Sequence, residues 1–188
     1  MPATVPPATL RVCVYCASAE GIAARHLALA RAVGSAVAAR GWELVSGGGR
    51  VSMMGAVARA ARAGGARTVG VIPRSLVERE WADHDADELV VVGTMRERKA
   101  EMEARADAFL ALPGGIGTCE ELFEVWTAGS LGLHAKPVVV LDPDGHYAGL
   151  LDWVRSLGGD GFVRPAGLRR LVVTTDVDAA LDACATTP

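Results

Sequence analysis

Two glycine-rich stretches, and the charged residues that follow the second, are the parts of this sequence that could do chemistry. Ser46-Gly47-Gly48-Gly49 and Pro113-Gly114-Gly115-Ile116-Gly117-Thr118 each follow an apolar run and lead into a helical pattern. Glycine lets the backbone approach an anion closely, and the free N–H groups of a first helical turn, with the dipole behind them, favour a phosphate there. Tight strand-to-helix turns would use the same residues. Two such loops, the second ending in the hydroxyl of Thr118, favour phosphate binding. The ligand class follows by exclusion. A P-loop needs Lys-Ser or Lys-Thr after its last glycine, and neither loop has it. A dinucleotide fingerprint should open the first strand-to-helix turn, which reads Cys16-Ala17-Ser18-Ala19-Glu20 instead. A mononucleotide or similar small phosphate ester fits better than NAD or ATP.

Beside the second loop runs Thr118-Cys119-Glu120-Glu121. Thr118 with Glu121 three residues on is the pattern of a capping box. Yet at about 100° per residue Glu121 falls on the side of Leu122 and Val125, whereas Glu120 and Glu124 face away. A carboxylate on the packed side, one turn from a phosphate loop, is placed to face a ligand, and capping and catalysis both remain open. In Met95-Arg96-Glu97-Arg98-Lys99-Ala100-Glu101-Met102, helical projection puts Met95, Arg98, Lys99 and Met102 on one stripe. Two cations on an apolar stripe need a carboxylate, a phosphate or both; alternatively their stems reach solvent or pair with Asp107. The chain has 17 arginines and only two lysines, Lys99 and Lys136, so Lys99 is not simply the habitual cation.

These residues need a scaffold that brings loops together. Short β-rich runs at 11–16, 42–46, 68–72, 88–92, 108–112, 137–141 and 171–174 alternate with helical patterns at 22–40, 54–63, 95–105, 118–129, 147–157 and 177–184. That alternation predicts an α/β fold, a Rossmann-like doubly wound and mainly parallel sheet of about seven strands with helices on both faces. Residues 74–87 are charged and weakly periodic, a loop or short helix over one end of the sheet. In such sheets the ligand crevice lies beyond the carboxyl ends of the strands, where both glycine loops fall. The expected organisation is a disordered tail over 1–9 and one domain over 10–188.

Composition narrows the partners. A hydrophobic fraction of 51% with 5% aromatics suits a layered core of closely packed helices and strands. A net charge of −3 argues against a nucleic-acid-binding face, and no apolar stretch approaches the ~20 residues of a membrane span. The tail, with three prolines and no basic or hydrophobic segment of a signal peptide, leaves the cytoplasm as the default compartment. Cys13 and Cys16 lie in a strand, where positions three apart point to opposite faces, and no second pair or His spacing completes a site. No metal is expected, and the four cysteines read as reduced packing residues.

Pro113-Gly114-Gly115-Ile116-Gly117-Thr118-Cys119-Glu120-Glu121 fits a P-G-G-x-G-T-x-x-E motif in full, and Met95-x-x-Arg98-Lys99 fits a second signature. Together they resemble the Lonely Guy family of cytokinin riboside 5'-monophosphate phosphoribohydrolases, in its actinobacterial-like members. The resemblance extends through Gly47-Gly48-Gly49, Met54-Gly55, Gly70-Val71-Ile72-Pro73 and Leu131-Gly132-Leu133-His134-x-Lys136-Pro137. It implies hydrolysis of the N-glycosidic bond of a nucleoside 5'-monophosphate to free base and ribose 5-phosphate, without a cofactor, in a homodimer. Arg98 and Glu121 match the family's catalytic positions. Ser18, Gly48, Gly49, Glu80, Met95, Lys99, Gly114, Gly115, Ile116, Gly117, Thr118, Cys119 and Glu120 match or border its substrate-binding positions. Three positions depart from the family pattern: Ala17 in the first turn, Ser46 in place of an aromatic, and Arg96 in place of a histidine. The family's older lysine decarboxylase label is not favoured, because Lys99 sits in the phosphoribosyl-type signature. Alternatives are a broad nucleotide-salvage hydrolase without a hormone role, and a nucleotide carrier that leaves its ligand intact.

Overall fold

The computed structural model describes residues 9–79 and 81–186. The expected tail, apart from Thr9, and Glu80 lie outside these described residues. Seven strands form one sheet in the order β4-β3-β2-β1-β5-β6-β7, namely β1 (Arg11–Tyr15), β2 (Glu43–Ser46), β3 (Thr68–Pro73), β4 (Glu88–Val92), β5 (Ala108–Ala111), β6 (Val138–Leu141) and β7 (Leu171–Thr174). Every pairing between these strands is parallel, so the sheet is parallel throughout and not only mainly so. The chain winds outward from β1 to β4, returns to β5 beside β1, and winds the other way to β7, giving the doubly wound Rossmann-like α/β topology.

The period-two pleat decides which side chains meet which helices. Val12 and Val14 of β1 point into one core with α1 (Ala24–Ala39), α2 (Ser52–Ala63) and α8 (Val177–Cys184). Cys13 and Tyr15 point into the other, with α4 (Met95–Arg105), α5 (Ile116–Ser130) and α6 (Ala148–Gly159). Cys13 and Cys16 accordingly fall in opposite cores, as their spacing predicts. Helix α1 stops where Gly41 takes φ +67°, a left-handed conformation that only glycine adopts without strain. Two short helices fill the connections: α3 (Arg74–Val77), within the stretch read as a loop or short helix, and α7 (Pro165–Leu168), which the sequence reading did not anticipate. Pro165 starts α7, and the indole N–H of Trp126 donates to the Gly167 carbonyl at 2.8 Å, which ties this turn to α5.

Candidate active site

At the switch point between β1 and β5 the loops separate and leave a cleft of about 320 Å³. Its walls come from the loops after β1, β2 and β5, the starts of α2, α4 and α5, and the segment around Trp81.

The floor is Arg98. Only 7% exposed, it reaches under the first glycine loop, where Nε donates to the Val71 carbonyl at 3.1 Å and Nη2 to the Gly47 carbonyl at 3.0 Å. Gly47 is obligatory for that path, since a Cβ there would sit 1.6 Å from Arg98 Nη2. Gly48, at φ +69°, turns the loop back, and its carbonyl accepts the Asp83 N–H at 2.8 Å. The Arg62–Asp83 ion pair at 2.9 Å, with both side chains largely buried, secures that crossing and sets Trp81 at the rim.

The opposite wall is α5. Its N-cap is Gly115, in extended conformation, and Cys119 N–H donates to the Gly115 carbonyl at 3.1 Å. The helix therefore begins two residues before the expected start, and Thr118 is its third residue. The expected Thr118–Glu121 capping box is thus not formed. A capping box does exist on α4, where Thr94 accepts from Glu97 N–H and the Glu97 carboxylate accepts from Thr94 N–H. By helix geometry the N–H groups of residues 116–118 have no partner inside the helix, so they and the positive end of the dipole face the cleft. The loop before them is braced from behind. Tyr147 Oη donates to the Leu112 carbonyl at 2.8 Å, a His146 ring nitrogen lies 2.8 Å from the Gly114 carbonyl, and Asp142 accepts the N–H groups of both residues.

One turn into α5, Glu121 points to the packed side, as its spacing predicts, and its Oε1 lies 3.6 Å from Arg98 Nη1. The side chains are 12% and 8% exposed, so the pair is close to fully withdrawn from water. Burial pushes the Glu121 carboxyl from the ordinary range up to about 7, with Arg98 opposing the rise. A carboxylate that is desolvated, titrates near neutrality and sits beside a guanidinium in a cleft is a functional-site signature.

The chain matches the family described as "Possible lysine decarboxylase" over residues 54–184. It is 58% identical over 179 residues to the cytokinin riboside 5'-monophosphate phosphoribohydrolase of Mycobacterium marinum, covering 95% of each chain. It is 59% identical over 174 residues to that of Mycobacterium tuberculosis, covering 93% of this chain and 92% of the relative. The chain belongs to the Lonely Guy family. Among solved structures, the molybdenum cofactor carrier protein of Chlamydomonas reinhardtii superposes with a TM-score of 0.71 at 24% identity, covering 95% of this chain and 98% of that one, a likeness of fold.

Of the positions that match the family's motifs, Arg98, Glu121, Ser18, Gly49, Met95, Gly115, Ile116, Gly117, Thr118 and Glu120 line the cleft. Gly48 lies just behind it, against β3, where a Cβ would meet Val71 N at 3.1 Å. Gly114 faces a neighbouring hollow, and Cys119 packs on the core behind α5. Lys99 does not line the cleft itself but pairs with Glu120 at its edge and with Glu124 further along α5, the latter at 2.7 Å. Asp107, the other partner considered for these cations, holds Arg11 instead at 2.8 Å. Val51, Met54, Ile72, Leu76 and Trp81 add apolar lining to the same cleft; Met54 and Ile72 fall in segments covered by the resemblance but are not among the expected site residues, and Val51, Leu76 and Trp81 are unanticipated. Met54 is the most legible of them, because it follows the first glycine loop within one helical turn, and its sulfur accepts the Gly49 N–H at 3.1 Å.

Proposed function

We propose that this enzyme hydrolyses the N-glycosidic bond of cytokinin riboside 5'-monophosphates, and of AMP, releasing free base and ribose 5-phosphate. The observation that carries this is the Arg98–Glu121 pair, buried at one turn's distance from a glycine-loop helix terminus in the same cleft. The 5'-phosphate sits on the N–H groups of residues 115–118 and the Thr118 hydroxyl, where the helix dipole favours an anion. The ribose then lies over Glu121 and Arg98, and the base extends toward Met95, Trp81 and Leu76, whose apolar surfaces suit a planar ring with a hydrophobic substituent.

Cleavage of the C1'–N bond builds positive charge on the ribose, as in glycoside hydrolysis. Ionised Glu121 stabilises that charge and orients the water that attacks C1'. The bonding pair leaves with the base, which takes up a proton, while water contributes the hydroxyl at C1'. Arg98 keeps Glu121 and the sugar in register. A decarboxylase reaction through Lys99 is disfavoured. A Schiff-base lysine needs an amine easily deprotonated, and pairing with Glu120 and Glu124 pushes the Lys99 ammonium upward. The exposed apolar rim formed by Trp81, Met95 and Ile116 supports a homodimer that covers the mouth of the cleft. Within the described residues no helix is long and apolar enough to cross a membrane.

The test is chromatography after incubation with AMP, GMP, CMP and N6-isopentenyl-AMP. Free base with ribose 5-phosphate, fastest from the isopentenyl compound, is the expected result. Recovery of intact nucleotide would point to a carrier and overturn the proposal, and equal rates across all four bases would point to general salvage.

A further inference from the structure

Lys99 follows Arg98 directly, yet the two cations take different partners. Arg98 enters the cleft, whereas the Lys99 ammonium, its side chain 12% exposed, bridges Glu120 at the edge of the cleft and Glu124 one helical turn further along α5. Those two carboxylates flank Glu121 on the same helix, one residue before it and three after. We propose that Lys99 is a positioning residue that acts on Glu121 through them, clamping α5 to α4 and neutralising the two carboxylates nearest the buried one. The inference rests on the reading of Glu121 as the group that works on the ribose.

The charges around Glu121 come from three elements. From α4, Arg98 and Lys99 favour its ionised form. On α5 itself, Glu120 and Glu124 disfavour it. From β1 and the residue after it, Cys13, Tyr15 and Cys16 face it with thiols and a phenol whose deprotonation burial pushes far up, so they stay neutral. Glu103 of α4 lies within the field of Glu124 and Lys99 and is itself raised, chiefly by burial. Lys99 is thus the cation that both acts on Glu121 and occupies its two acidic neighbours. Its geometry differs from a single surface pair in that one ammonium, 12% exposed, holds two carboxylates a helical turn apart, which are themselves 54% and 45% exposed.

If Lys99 is removed, its favourable field at Glu121 is lost while those of Glu120 and Glu124 remain unopposed, which makes Glu121 harder to ionise. The experiment is the pH dependence of base release from AMP by the full chain, comparing wild type, Lys99→Met, Lys99→Arg and Lys99→Met/Glu124→Gln. In Lys99→Met the acid limb should move up, with a loss of at most about tenfold below it that closes at high pH, because Glu120 and Glu124 are about half exposed and water screens their fields. Lys99→Arg, which can still bridge both carboxylates, should keep the wild-type limb, and Glu124→Gln in the Met background should move it part of the way back.

A loss of the same factor at every pH would make Lys99 merely structural. A rise in KM with an unmoved limb would make it a direct substrate contact. Either result overturns the assignment. Glu121→Gln measured alongside separates the two levels: wild-type turnover in that variant removes the functional reading itself, whereas its inactivity together with an unmoved limb in Lys99→Met removes only the role of Lys99.

Discussion

Replacing Glu121 by glutamine should make this protein less active and more stable, and the gain in stability should depend on pH. The carboxyl is raised from 4.5 to about 7 because burial outweighs the help of Arg98. Below about pH 4.5 it is protonated in the folded and the unfolded chain alike, and its ionisation costs the fold nothing. As pH rises from 4.5 to 7 the unfolded chain ionises first, so stability falls; above 7 both forms are ionised and the full penalty stands. A difference of that size corresponds to at most about 3 kcal/mol. Glutamine keeps the shape and mimics the protonated form, so it escapes the penalty. At about 2–4 °C per kcal/mol for a chain of this length, Glu121→Gln should melt up to about 12 °C above wild type at pH 8 and level with it at pH 4. Scanning calorimetry of both proteins across that range is the assay. Melting curves separated by a constant amount at every pH, or a variant less stable at pH 8, would show that Glu121 is not held against its own ionisation.

The Gly47 path of Arg98 gives a second prediction. Gly47→Ala places a Cβ 1.6 Å from Nη2, so the guanidinium must leave its place while the sheet stays intact. Turnover should fall about a hundredfold with far-UV circular dichroism unchanged, as expected for a misplaced catalytic group. The proposed phosphate loop gives a third. Adenosine, which cannot engage residues 115–118 through a phosphate, should show kcat/KM at least about a hundredfold below AMP, because remote binding energy is used at the sugar. Equal values for the two compounds in a base-release assay would remove the loop from the reaction.

Much of the scaffold was legible because its signals are local and periodic. The β-rich runs lay within a residue or so of the strands, and β-strand alternation separated Cys13 from Cys16. Glu121 was legible for the same reason, since its side of α5 follows from the positions of Leu122 and Val125. Where α5 begins was not, because Gly115 and Ile116 carry no cap signal strong enough to outweigh Thr118 and Glu121. The capping box that does form, Thr94 with Glu97, has the same T-x-x-E spacing but lies in a segment whose cations are the stronger sequence signal. Contacts between distant segments left no mark at all. That Gly47 and Val71 carbonyls anchor Arg98, that Lys99 turns to α5, and that Trp81 closes the cleft depend on crossovers which bring residues far apart in sequence to one sheet end.

The central claim is that Glu121 and Arg98 act as one unit on the sugar, and a double-mutant cycle on base release from AMP reads it directly. Single-turnover rates would be taken for wild type, Glu121→Gln, Arg98→Met and the double variant. Residues that act as a unit lose most of their effect at the first removal. Each single change should therefore cost nearly as much as both together. Losses that multiply, or a single variant that keeps wild-type base release, would contradict it.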